Sequence, residues 1–546
     1  MIGVIAGGAE RAVVCEFFEL FKTPWEFYRS GREYDAVLCA GELEFEVSAR
    51  TTIVYSGQRT KLDGELGFQT EEYEKKCVLT YQNDHIPIYG KSVTFLRQET
   101  AFVKNDRSEC VAFVKMTAPG TMVRIGFDLF REVRMLLTEG QPHQYAQIPA
   151  LELHITMLRD VMIACGAEVV EIPPIPEGHR FIACLTHDVD HPSIRLHGWD
   201  LTTLGFLWRA VFGSLVNVFR GRISFRGLAR NWMAAMKLPF VQVGLVKDFW
   251  LTFDERYLSL ENGRRSTFFF VPFANTAGTT LKGDAPSYRA TRYGARDVAE
   301  AIEKLQKAGC EIGLHGIDAW HDSARGMEEL KELRQLTDSR EIGVRMHWLY
   351  FAELSPATLE EAGAAYDSTS GYNDRVGYRA GTTQVYKPLA AQRLLELPMH
   401  IMDTALFYPP YMGLSQGQAK DVLGRMADDA ARFGGCLTIN WHDRSTAPER
   451  LWDGCYRDLL HDLERRGAWF ATGRDVVAWF RKRREFDFLR GADSGPAGRL
   501  KMTNDQSERL PGLCLRIHKA GPTGVTAYAD PAMGGTAQAA HARGAC

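Results

Sequence analysis

The sequence predicts an α/β protein whose middle and C-terminal part, residues 181–484, alternates strand and helix around a parallel sheet or a (β/α) barrel. Two patterns carry this. Short, mostly apolar runs recur at 181–185, 266–272, 311–314, 394–398 and 436–441, each the length of a buried strand, and helical patterns at 295–308 and 327–336 lie between some of them. Several of the apolar runs also end in carboxylate or imidazole side chains, at the strand ends where parallel sheets and barrels carry their chemistry.

Residues 1–165 precede this part as a smaller α/β domain. Ala36-Val37-Leu38-Cys39, Thr52-Ile53-Val54-Tyr55, Val111-Ala112-Phe113-Val114 and Met122-Val123-Arg124-Ile125 have strand character, and an amphipathic helix follows over 128–137. The domain contains no nucleophile motif or phosphate loop, and Gly7-Gly8 is too little for a nucleotide site. Its expected role is structural or positioning. Three prolines and a glycine, Pro173, Pro174, Pro176 and Gly178, make 166–180 an extended linker. Residues 485–546 form a C-terminal extension in which 510–517 has one strand pattern. The Gly-, Ala- and Thr-rich tail beyond about 520 is expected to be disordered.

The net charge of −3 gives no reason to expect nucleic-acid binding. The 11 cysteines are scattered, odd in number and without a CxxC pair, and several sit in apolar runs. They look like small buried hydrophobes in a reducing compartment. The start, MIGVIAGGAERAVV, lacks the basic segment and sustained apolar core of a secretory signal. No run of about 18 uninterrupted apolar residues occurs, so a membrane-spanning helix is not expected. These features predict a cytoplasmic protein.

The sharpest chemical feature is Leu185-Thr186-His187-Asp188-Val189-Asp190-His191, directly after an apolar strand. Alternation with period two puts Asp188 and Asp190 on one side. Two carboxylates crowded together are costly unless a cation balances them, which suits a metal ligand beside a general base. Glu311-Ile312-Gly313-Leu314-His315-Gly316 is a second strand ending in a histidine, and His321 follows six residues later. On a helix that spacing would turn the second imidazole about 240° away, so His315 and His321 share an ion only if 316–320 is a loop. Leu437-Thr438-Ile439-Asn440-Trp441-His442 ends a third strand in a histidine whose near-neutral pKa suits a general acid. Arg345, in Gly343-Val344-Arg345-Met346-His347-Trp348, can hold a carboxylate through paired hydrogen bonds.

In this order the motifs resemble the polysaccharide deacetylase family, carbohydrate esterase family four, also called the NodB-homology domain. The resemblance covers roughly residues 180–482, a little over half of the chain. It implies a distorted (β/α) barrel of the polysaccharide deacetylase type, with Zn²⁺ or another divalent metal as cofactor. Asp188 would be the general base, Asp190 a metal ligand, and His315 and His321 the paired histidine ligands. Many members space that pair by four, so His191 stays open as the alternative third ligand. Arg345 matches the arginine that orients the base, although His347-Trp348 replaces the usual proline. Thr358-Leu359, Ala362-Gly363 and Tyr366-Asp367-Ser368-Thr369 fit the family's next helix and strand. Leu395-Glu396-Leu397-Pro398 with Asp403 matches the fourth motif loosely, and His442 matches the last. Trp348, Tyr378 and Arg379 are the expected substrate-binding residues.

The activity implied is removal of an acetyl group from an N-acetylated sugar or glycoconjugate. Another amide hydrolysis on the same barrel and a non-catalytic glycan-binding protein are the alternatives. One insertion, 196–260, stands out. Residues 201–247 contain Arg209, Arg220, Arg222, Arg226, Arg230, Lys237 and Lys247 and no acidic residue. Leu204, Trp208, Val211, Leu215 and Phe219 recur there at helical spacing. Such a stretch can pack as a helical subdomain on the barrel, cover an anionic substrate, or make peripheral contact with the inner face of a membrane through 203–247. The sequence leaves the oligomeric state open.

Overall fold

Strand-forming runs in the first 125 residues assemble into an eleven-stranded mixed sheet. Trp25–Phe27, Ile2–Ile5, Tyr34–Ala40, Ala49–Tyr55 and Thr121–Ile125 lie side by side in parallel. Cys110–Met116, Ala101–Asn105, Cys77–Tyr81 and Asp84–Ile88 continue the sheet antiparallel. The helix Leu129–Thr138 begins where the Asp128 side chain accepts the Arg131 backbone N–H, and it buries Phe130, Val133 and Leu137.

This computed structural model describes residues 1–43, 47–74, 76–117, 120–221, 223–337, 339–488, 510–519 and 525–529. The chain divides into two units. One comprises residues 1–178, 378–389 and 479–546, the other 179–377 and 390–478. Two expectations change in the first unit. The presumed linker contributes a strand, Val169–Glu171, paired antiparallel with Leu515–His518, which in turn pairs with Val525–Ala529. Across this pairing the buried Glu171 carboxylate accepts from Arg159 and faces His518. The expected disorder of the tail beyond about 520 falls outside the described residues except at 525–529, which form a strand instead.

The second unit is built on seven parallel strands: β1 (Phe181–Val189), β2 (Thr267–Phe270), β3 (Glu311–Gly316), β4 (Val344–Met346), β5 (Ile401–Met402), β6 (Cys436–Asn440) and β7 (Ala468–Ala471). Their order is β4-β3-β2-β1-β6-β5, with β7 beside the first half of β1. All nine residues of β1 are buried, as expected for a parallel strand covered on both faces. The sheet curls into a half-barrel. Beyond β4 it continues only as single bridges from Val344 to Asp367 and from Asp367 to Glu396. The strand expected at 394–398 is therefore irregular backbone that ends at Pro398, which has no N–H to extend a ladder.

Residues 196–260 form helices. α1 runs Leu201–Phe219 with a π-helical turn at Arg209–Gly213, α2 runs Phe225–Gln242, and α3 covers Phe253–Glu261. Asp200 caps α1 and Ser224 caps α2. Phe206 and Ala210 of α1 pack with Ala234, Leu238 and Val241 of α2 around Trp250. Each large apolar side chain buried this way contributes roughly 1.5–3 kcal/mol. By length and composition alone α1 could cross a bilayer, although it contains no uninterrupted apolar run of the expected length. α1 carries Thr, Ser, Asn and a single Arg among its apolar residues.

Candidate active site

Strand register brings the site together. β1 pairs with β2 so that Asp188 lies beside Phe269, and β2 pairs with β3 so that Phe269 lies beside Gly313. A Cβ at Gly313 would stand 2.5 Å from the Phe269 ring, so this row closes only around glycine. The Arg345 guanidinium lies 4.5 Å over the same ring. β3 and β4 then set His315 directly beside Arg345.

Arg345 is fully buried and its donors are committed. Nη1 donates to Asp188 Oδ1 at 3.0 Å and to Thr186 Oγ1 at 2.7 Å, while Nε and Nη2 reach the Ser368 carbonyl and hydroxyl. Asn440, at the end of β6, donates to Asp188 Oδ2 at 2.7 Å and accepts the Asp188 backbone N–H. Burial alone would raise the pKa of Asp188, but Arg345, His315 and His442 outweigh it and hold the carboxylate ionised. Asp188 is thereby fixed in both charge and orientation.

Asp190, two residues on, meets a different environment. Its Oδ1 is buried without a hydrogen bond. It lies 3.4 Å from His315 Nε2 and 3.6 Å from His347 Nε2. Ligand atoms of Asp190, His315 and His347 all lie within 4.8 Å of one another. His315 Nδ1 is 3.0 Å from the Arg345 carbonyl. With Nδ1–H donated to that carbonyl, His315 turns Nε2 toward Asp190. Burial pushes the pKa of His347 down to about 3, so its imidazole is neutral. Acceptors converging without a proton between them are repulsive unless a cation is shared. Two imidazoles and a carboxylate are a donor set that fits Zn²⁺ with positions left open for substrate.

His442 completes the group. Its Nδ1 lies 2.6 Å from Asp403 Oδ1, its backbone N–H donates to Asp403 Oδ2, and its Nε2 is 3.8 Å from Asp190 Oδ2. Burial disfavours the imidazolium, but Asp403 and then Asp190 and Asp188 outweigh it and raise the pKa to about 9. Asp188, Asp190, His315, His347 and His442 open into one cavity of about 610 Å³. Trp348, Tyr350, Tyr408 and Trp452 supply aromatic wall, and Arg209 of α1 supplies a cation.

The structure thus groups Asp188, Asp190, His315, Arg345 and His442. It does not bring His321 to them. His321 Nε2 lies 2.7 Å from Thr279 Oγ1 and 3.3 Å from Asp318 Oδ1. Backbone bonds from His321 and Asp322 to the Asp318 carbonyl tighten this turn around Asp318. His191, the reserve, turns its Nδ1 to His197 at 3.1 Å. The third donor of the group is His347. Trp348 and Leu349, which follow it, adopt left-handed backbone with φ of 65° and 52°. Non-glycine residues are strained there by about 1–3 kcal/mol each, a cost usually met at functional sites. This is the loop that replaces the expected proline.

Trp348 lines the cavity. Tyr378 and Arg379 do not belong with it. Both fall in the first unit, where the Tyr378 N–H donates to Ala146 and the Arg379 carbonyl accepts from Gln141. Sequence reading also missed Asn440. The signal was present, since Asn440 and His442 stand two apart at the end of one strand, as Asp188 and Asp190 do.

No family profile matches the chain, and no curated protein matches it in sequence. Solved structures do share similarity. A probable polysaccharide deacetylase from Pseudomonas aeruginosa is 16% identical over 58% of this chain and 96% of its own, with a TM-score of 0.35. Puue allantoinase is 16% identical over 60% of this chain and 94% of its own, with a TM-score of 0.33. The Xyl-CE4 domain of a multidomain xylanase from the hindgut metagenome of Trinervitermes trinervoides is 10% identical over 55% of this chain and 90% of its own, with a TM-score of 0.24.

Proposed function

We propose that this protein is a metal-dependent hydrolase that removes an acetyl group from an N-acetylated sugar or glycoconjugate. One observation carries the reading: the convergence of Asp190, His315 and His347, with Asp188 and His442 opening into the same cavity. When bound by Asp190, His315 and His347, a divalent ion such as Zn²⁺ would supply Lewis-acid polarisation of the amide carbonyl.

The chain's own groups account for the proton transfers. Asp188, held by Arg345 and Asn440, accepts a proton from the attacking water. His442, charged at neutral pH, delivers a proton from Nε2 to the departing amine. Asp403 keeps that imidazole in the required orientation through Nδ1. The aromatic wall of Trp348, Tyr350 and Tyr408 offers apolar surface to the C–H face of a sugar ring. The motif order around Asp188, His315, Arg345 and His442 supports deacetylation in particular.

The test is acetate release from a panel of N-acetylated saccharides after reconstitution with Zn²⁺. Turnover that disappears on chelation and in Asp188→Asn is expected. Zn²⁺-independent turnover, or no release from any acetylated saccharide, would overturn the assignment.

A further inference from the structure

α1 presents three faces. Thr203, Phe206, Ala210 and Ser214 are buried against the unit's interior. Arg209, Gly213 and Asn217 line the cavity. Leu204, Trp208, Phe212, Val216 and Phe219 form a third stripe at helical spacing, and this one is turned outward, with Trp208 65% and Phe219 89% exposed. α2 repeats the pattern. Phe225, Trp232, Met233, Met236 and Phe240 are exposed while Ala234, Leu238 and Val241 are buried. An apolar surface of this extent on two adjacent helices exceeds the scattered exposed hydrophobes of ordinary soluble proteins.

Exposed cations, Arg220, Arg226, Arg230 and Lys237, lie on or beside the same helices. Residues 201–247 hold seven Arg and Lys and no Asp or Glu. Among the described residues Lys247 pairs with Glu255, whereas none of the ion pairs involves Arg220, Arg226, Arg230 or Lys237. Apolar side chains with tryptophan, flanked by basic residues on long stems, match the boundary between acyl chains and anionic headgroups. A protein partner would have to supply both a large apolar face and acidic groups, whereas an anionic bilayer offers both everywhere.

We propose that the outward face of α1 and α2 docks onto the surface of an anionic lipid bilayer, setting the cavity mouth at the headgroup layer. The helices lie in the plane of the interface. A spanning orientation of α1 would take Arg209 out of the cavity and strip Phe206 and Ala210 from the packing around Trp250. Because Trp208 and Phe212 immediately precede Arg209 and Gly213, the docked stripe and the cavity stripe are adjacent on one helix.

Co-sedimentation of the full chain with vesicles tests this without any turnover, so its failure leaves the hydrolase reading untouched. Vesicles of phosphatidylcholine with phosphatidylglycerol are expected to bind the protein, and vesicles of phosphatidylcholine alone to bind it far more weakly. Removing the charge at Arg226 or Lys237 by substitution to Gln should each weaken binding about fivefold. The triple variant Leu204→Glu, Phe212→Glu, Phe240→Glu should lose binding at least tenfold and keep the wild-type far-UV spectrum and metal content. These side chains are exposed, so the fold does not depend on them. Wild-type protein that ignores anionic vesicles, or binding unaltered in the triple variant, would overturn the proposal. So would a dimer that the triple variant dissolves in the absence of any vesicle binding, which would assign the face to a second copy of the chain.

Discussion

Two buried clusters, one in each unit, treat charge differently. In the first, Arg124 and Asp63 are fully buried and mutually satisfied. Arg124 Nε and Nη2 bind the two carboxylate oxygens, and its remaining donors reach the carbonyls of Ser56, Ile125 and Gln58. The Thr60 N–H completes the carboxylate. In the second unit Arg345 and Asp188 make a similar closed pair, yet two residues later Asp190 keeps a buried oxygen without a partner among imidazole nitrogens. A buried charge whose bonds are all internal holds a fold together. At Asp190 the oxygen short of a bond also converges with the His315 and His347 nitrogens, and that convergence marks one cluster as structural and the other as a candidate site.

The comparison can be broken most directly at His347. His347→Ala should abolish stoichiometric divalent-metal binding, and turnover with it, whereas His321→Ala should leave the metal content of purified, reconstituted protein unchanged. Equal metal loss in both variants would move the third donor away from the Met346-His347 strand end. Next in size, Asp188→Asn should reduce turnover by about 10²–10⁴ while the metal stays bound. Unchanged kcat in that variant would remove the proton-acceptor role.

A comparable loss of a different kind is expected in the first unit. Arg124→Ala leaves Asp63 buried and uncompensated, which should cost about 3–5 kcal/mol in urea unfolding. The metal content of the folded fraction should not change. A variant that unfolds normally but loses metal would erase the distinction drawn between the two clusters.

The smallest effect is a pH dependence. Burial would raise the pKa of Glu171, but Arg159, His518 and Arg516 outweigh it and hold it at about 2, against an ordinary 4.5. A depressed carboxylate stabilises the fold fully above the unfolded value and loses that contribution as pH falls through the folded one. The stability difference between wild type and Glu171→Gln should therefore be largest above about pH 4.5 and shrink toward pH 2. A difference that grows on acidification would contradict the ion pairing.

Much of the site was legible because it depends on local periodicity. Apolar residues that stop at a polar pair announce a strand end, and alternation alone puts Asp188 with Asp190. His321 failed for an equally local reason: it lies in a turn that folds back on Asp318, and a six-residue spacing does not specify that path. His347 was visible two positions after Arg345, but its replacement of a proline looked like a change of loop, not a change of ligand. Tyr378 and Arg379 were misplaced because the chain leaves the second unit at 378 and returns at 390, an excursion without a marked shift in composition.

By itself the sequence determined that 181–185, 266–272, 311–314 and 436–441 hold buried parallel strands, which of their ends carry chemistry, and that one insertion is both basic and apolar. Those properties follow from side-chain period and polarity, which neighbouring residues settle among themselves. Only the tertiary structure decided which distant ends meet, for that depends on the register of β3 against β4 and on two left-handed residues after His347. It alone also separated the three faces of α1, because a helix's periodicity reveals its stripes but not which of them the rest of the fold will cover.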